Sequence, residues 1–153
     1  MQLIPDHENV ARAIFSPKMI HNGRLLPAAF ELRPQISEEY ISVMRTSIAS
    51  WQDDLRRIPQ RNNRKLYGFA EMNVGEIRHI KATVAKYDVY PCDNQIVKSH
   101  AGIFISINNE QLIGGRPLHS IKEKAAQDFL LLAIRQELVR LAQQRLQVIQ
   151  VNP

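Results

Sequence analysis

From Ser120 to Leu146 the chain carries neither glycine nor proline, and this run constrains the fold more than any other feature. Ser120-Ile121-Lys122-Glu123 has the capping-box form, in which a serine and a glutamate three residues on satisfy free amides reciprocally. The pattern predicts one long helix from that cap to about Leu146. Phe129-Leu130-Leu131-Leu132-Ala133-Ile134 is apolar on nearly all sides, which predicts that the middle of the helix is buried. Beyond it the stripe narrows to Leu138, Leu141, Ala142 and Leu146, with Arg135, Arg140 and Arg145 outside it. Such a helix must lie over an apolar surface.

The segments before it supply strands for that surface. In Ala101 to Ile107, residues 101, 103, 105 and 107 point one way, while His100, Gly102, Phe104 and Ser106 point the other. Thr83 to Tyr90 puts Thr83, Ala85, Tyr87 and Val89 on one face, with Lys86 and Asp88 opposite. Leu66 to Met72 and Tyr40 to Met44 are also β-prone. Between the strands, Gly75-Glu76-Ile77-Arg78 predicts a helical turn. A polar helix near 46–57 aligns Ile48, Trp51 and Leu55. Asn108-Asn109 predicts a turn, with Gln111-Leu112-Ile113 returning as a hairpin arm. The first third, punctuated by Pro5, Pro17, Pro27 and Pro34, is expected to be irregular. There Ser16-Pro17-Lys18-Met19-Ile20 reads as a capped helical turn stopped by Asn22-Gly23. A long C-terminal helix on a small, mainly antiparallel sheet makes an α+β domain spanning residues 1–153, with a three-layer arrangement as the alternative.

At 153 residues and 44% apolar content, the chain suits one domain with a sizeable core. No apolar run approaches the roughly 18 residues that span a bilayer. Met1 to His7 has neither the basic flank nor the apolar core of a signal peptide. The single cysteine, Cys92, rules out an internal disulfide framework. A cytoplasmic protein without a membrane partner is expected. The net charge of +5 is local: Arg56, Arg57, Arg61, Arg64 and Lys65 lie in an acid-free stretch, residues 56–65. The rest of the chain holds fifteen basic and fifteen acidic residues. Pro59 and Asn62-Asn63 make the stretch a loop. It is either a solvated connector or a contact for phosphates or an acidic protein, with Arg57, Arg61, Arg64 and Lys65 as the anion-binding candidates. Gly114, Gly115 and Arg116, just before the expected Ser120 cap, form a second anion candidate, because helix N-termini present free amides.

Few residues point to catalysis. His100 suits a general acid or base, oriented by Asp88 if their strands pair in the right register; alternatively it is a hydrogen-bonded histidine at a bulge. Gly102 then marks either that bulge or a close approach to its backbone. His7 and Arg12 can begin a site for an anionic cofactor, or form a solvated edge. The five histidines lack ligand spacing and no G-x-S-x-G occurs, so neither a metal nor a cofactor is implied. The expected function is a binding or accessory module for an anionic partner: nucleic acid, a nucleotide or an acidic protein. The alternative is a small enzyme, a nucleotide-dependent transferase or nuclease-like toxin, using His7, Arg12 and His100.

The order His7…Arg12, Gly23-Arg24, Ala28-Ala29-Phe30, Ile41-Ser42-Val43, Asn73-Val74-Gly75-Glu76-Ile77-Arg78, Asp88, Pro91 and Ser99-His100-Ala101-x-Ile103 resembles a group of short bacterial proteins of unknown function. In that group an asparagine-proline pair precedes Ser-His-Ala, where this chain has Val97-Lys98. The resemblance implies a bacterial, intracellular protein, an accessory in a defence or mobile-element locus. No catalytic residue carries over from it.

Overall fold

A computed structural model describes residues 3–60 and 63–149. Its strands are β1 (Asn9–Ser16), β2 (Ile20–His21), β3 (Arg24–Leu25), β4 (Ile41–Arg45), β5 (Lys65–Asn73), β6 (Lys86–Pro91), β7 (His100–Ile107), β8 (Glu110–Gln111) and β9 (Leu146–Val148). Its α-helices are α1 (Trp51–Arg56), α2 (Val74–Arg78) and α3 (Lys124–Gln143). Among the described residues, seven strands form one antiparallel sheet in the order β6-β7-β4-β1-β5-β9, with β8 attached to β7. The α+β class and the long C-terminal helix are as the periodicity predicts.

The sheet separates two apolar clusters. Ile134, Leu138, Leu141 and Ala142 of α3 pack with Val10, Ile14, Ile41, Val43, Ala70, Met72 and the Ala101-Ile103-Ile105-Ile107 row. Leu55 of α1 packs with Ala11, Ala13, Phe15 and Met44. β1 contributes to both clusters and is buried on both sides, so its sequence does not alternate cleanly between apolar and polar. That is why a strand stands where irregular chain was expected.

Other expectations also need correction. No helical turn follows Ser16. The segment instead forms the β2–β3 hairpin, whose Asn22 and Gly23 adopt φ of 50° and 76°, the positive values a two-residue hairpin turn requires. The helix expected over 46–57 is confined to Trp51–Arg56. Ser120 is not a cap: α3 starts at Lys124, and Glu110 takes up the Ser120 hydroxyl at 3.4 Å and the His119 amide at 3.0 Å. The middle of α3 is only partly covered, with Phe129 76% and Leu132 41% exposed. The helix also ends before Leu146, which turns into β9 and pairs with Ala70. No described helix is long and apolar enough to cross a membrane.

Candidate functional site: a basic cleft where two strands part

β1 and β4 pair at only two positions, Val10 with Arg45 and Ala11 with Met44. Past these the strands diverge, and Arg12 fills the opening. Its Nη1 donates to the Ser42 carbonyl at 2.8 Å, and its Nε donates to the Ala29 carbonyl at 3.0 Å. Ala29 belongs to a short 3-10 helix, Pro27–Phe30. The guanidinium thus takes over carbonyl-satisfying work that a neighbouring strand would otherwise perform.

This arrangement holds a positive charge between neutral acceptors. Burial pushes the Arg12 pKa down to about 10; nearby Glu38 opposes that shift, while Arg64 and Arg33 add to it. Glu38 does not contact Arg12 directly. Its carboxylate accepts from Arg33 Nη2 at 3.0 Å, Nε at 3.3 Å and the backbone amide at 2.9 Å. Arg12 Nη2 makes no hydrogen bond among the described residues, and the residue is only partly buried.

Arg12 opens into a cleft of about 830 Å³ shared with Arg57, Arg64, Ser42 and His100. Arg64 is not a solvated loop charge, since its Cζ lies 3.7 Å from the centroid of the Phe15 ring. Among the described residues, five basic ones line the cleft, Arg12, Lys18, Arg33, Arg57 and Arg64, against three acidic ones, Glu31, Glu38 and Asp54. Glu31 pairs with Lys18 at 3.4 Å. Asp54 is buried and turned toward protein: its Oδ2 accepts from the Ser99 hydroxyl at 2.6 Å and the Ser50 hydroxyl at 3.0 Å. Among the described residues the lining is thus more basic than acidic.

His100 stands at the wall of the same cleft, with Nε2 3.1 Å from Ser42 Oγ. Burial holds its pKa below the ordinary histidine value, which favours the neutral ring. Gly102 is explained by its neighbour. A Cβ there would come within 2.5 Å of the Tyr40 ring, which also lies against His100, with centroids 5.7 Å apart.

Asp88 has other partners than His100. It lies opposite Phe104 in the β6–β7 register, and its carboxylate accepts from Arg78 Nε at 2.7 Å and the Tyr90 hydroxyl at 2.9 Å. The pair ties α2 to β6 and does not orient the histidine. His7 is exposed ahead of β1 and does not line the cleft. Gly114, Gly115 and Arg116 form a turn against the chain before β4, where the Gly114 amide donates to the Glu38 carbonyl at 2.9 Å. With α3 beginning only at Lys124, that turn has no helix terminus behind it. Lys65 opens β5 and is exposed; Arg61 lies outside the described residues. Among the described residues, no group of His, Cys, Asp and Glu is placed to hold a metal.

Ser42, Phe15 and Glu38 were not legible as site residues. Ser42 looks like an ordinary polar position between Ile41 and Val43, and only the β4–β7 pairing sets it beside His100. No family model, curated protein or solved structure matches the chain. The likeness to the bacterial group therefore rests on the quoted residues alone.

Proposed function

We propose that this protein is a binding module for a ligand carrying a carboxylate or phosphate, seated in the cleft on Arg12. One observation supports this above the others: the Arg12 guanidinium is held on two carbonyls at the wall of the cleft, with Arg33 and Arg64 nearby and, among the described residues, no carboxylate in direct contact. A charge drawn partly out of water is costly until something of opposite sign meets it, and an anion in the cleft would do so. Nucleic acid and acidic proteins remain partner classes under this reading, because both present such groups.

Calorimetry with inorganic phosphate and with adenosine monophosphate tests it. Arg12→Gln should weaken binding roughly 10- to 100-fold, the worth of a charge-assisted hydrogen bond of about 1.5–3 kcal/mol. Because Arg12 also holds two carbonyls, Arg12→Lys serves as the milder variant. It keeps the charge and loses the forked geometry. Binding that is absent in the wild type at low salt, or unchanged in both variants, overturns the proposal.

A further inference from the structure

Met44 pairs with His100 and Ser42 with Gly102, so Ser42 and His100 are diagonal neighbours on adjacent strands. Both are half-buried and both line the cleft. Their separation of 3.1 Å, Oγ to Nε2, is the hydrogen-bond reach expected of a nucleophile and its base. If Ser42 donates its hydroxyl proton, the neutral imidazole accepts it at Nε2 and carries its own proton on Nδ1. The residue before the histidine, Ser99, is fully buried and clamped by Asp54 through both its hydroxyl and its amide. The start of β7 is thus held from α1, which fixes where the ring begins. Arg12 Nη1 sits on the carbonyl of Ser42 itself, so the guanidinium is anchored to the same residue. Three roles that acyl transfer requires are therefore present in one cleft: a hydroxyl, a neutral base and a cation for developing negative charge.

We propose that Ser42 is a nucleophile and His100 its general base in the hydrolysis of an ester with an apolar acyl group. The inference rests on the anion reading at one point: Arg12 receives the oxyanion and afterwards the product carboxylate. Ser42 Oγ bonds to the carbonyl carbon while its proton passes to His100 Nε2, and the π pair moves onto the carbonyl oxygen. Collapse of that adduct breaks the bond to the alcohol oxygen, which leaves with the proton from His100. Water then attacks the acyl-serine, again giving a proton to Nε2. That proton returns to Ser42 Oγ as the carboxylic acid departs and ionises. No oxidant, reductant or further reactant is needed. Met19, Ile58 and Val97 supply apolar wall for the acyl chain. A site that binds a carboxylate is then complementary to what the reaction creates, not merely to what enters.

The full chain is incubated with an alkyl fluorophosphonate, and the adduct is located by peptide mass spectrometry. In parallel, p-nitrophenyl butyrate hydrolysis is followed in the wild type, Ser42→Ala and His100→Gln, with the melting temperature of each recorded. The expected result is an adduct on the peptide carrying Ser42, absent in Ser42→Ala and formed about 100-fold more slowly in His100→Gln. Should Ser42→Ala fail to fold, the site mapped in the wild type decides. An adduct found only on other serines, no adduct at all, or an unchanged rate in folded His100→Gln overturns the inference. Loss of labelling with phosphate still bound at Arg12 sinks the nucleophile alone. Labelling of Ser42 in a protein that binds no phosphate supports the nucleophile and sinks the anion reading.

Discussion

Asp54 shows how a single carboxylate can organise a site without entering it. Burial acts to raise its pKa, but the bonds from the Ser99 hydroxyl, the Ser50 hydroxyl and the Ser99 amide outweigh that and hold it below the ordinary carboxylate range. A depressed folded value means that the ionised form contributes stability above the unfolded pKa of about 3.9. That contribution is lost as pH falls through the folded value. Urea titrations of wild type and Asp54→Asn should therefore differ by a constant amount between about pH 5 and 7, and converge below about pH 4. A gap that widens toward acid would contradict the assignment. Ser99→Ala should cost about 1–3 kcal/mol at pH 7, because it leaves a buried carboxylate without its shortest bond.

At the scale of elements, α3 is held along one stripe only. Leu138 is fully buried against the sheet, and Ile134 also anchors there, its carbonyl accepting from the Tyr87 hydroxyl at 3.2 Å. Leu138→Ala should lower stability by about 2–5 kcal/mol. Phe129→Ala should change it by no more than about 0.5 kcal/mol, since that ring faces outward. Ser120→Ala should be similarly mild: its hydroxyl meets Glu110 at the surface and caps nothing. Chemical denaturation of the three variants checks the ranking, and a Ser120 loss near that of Leu138 would place the helix start earlier than Lys124. The capping-box pattern was a sound local signal that a tertiary partner displaced. Glu110, in the β7–β8 hairpin, accepts from the His119 and Ser120 amides instead, and only the Ser120 amide is one the box would use.

At the scale of the whole molecule, β1 joins the two apolar clusters. Val10 and Ile14 pack on the α3 side, and Ala11, Ala13 and Phe15 on the α1 side. Loss of either cluster exposes one face of the strand that also supports the other. Unfolding is therefore expected as one transition. Trp51, the single tryptophan, packs edge-on against Phe69 at 5.1 Å and reports the α1 side, while far-UV circular dichroism reports α3 and the sheet. The two probes should give coincident urea midpoints, also in Leu55→Ala. Separate midpoints would divide the chain into two independent units.

Much of this architecture is readable from the residues alone, for reasons of period. β7 sets Ala101, Ile103, Ile105 and Ile107 at every second position, so that face is legible before any partner is known. The same holds for Tyr87 and Val89 on β6, and for Leu138, Leu141 and Ala142 on α3, all of which are buried. β1 escapes that logic because both of its faces are covered, which erases the alternation. The site was half legible for a related reason. Arg12 and His100 announce themselves as chemistry-bearing residues, but pairing register and strand divergence are long-range properties. Only the folded chain puts Ser42 beside His100, gives Asp88 to Arg78, and opens the gap that Arg12 occupies. Side-chain type and period determined which residues are buried or charged; tertiary packing decided which of them meet.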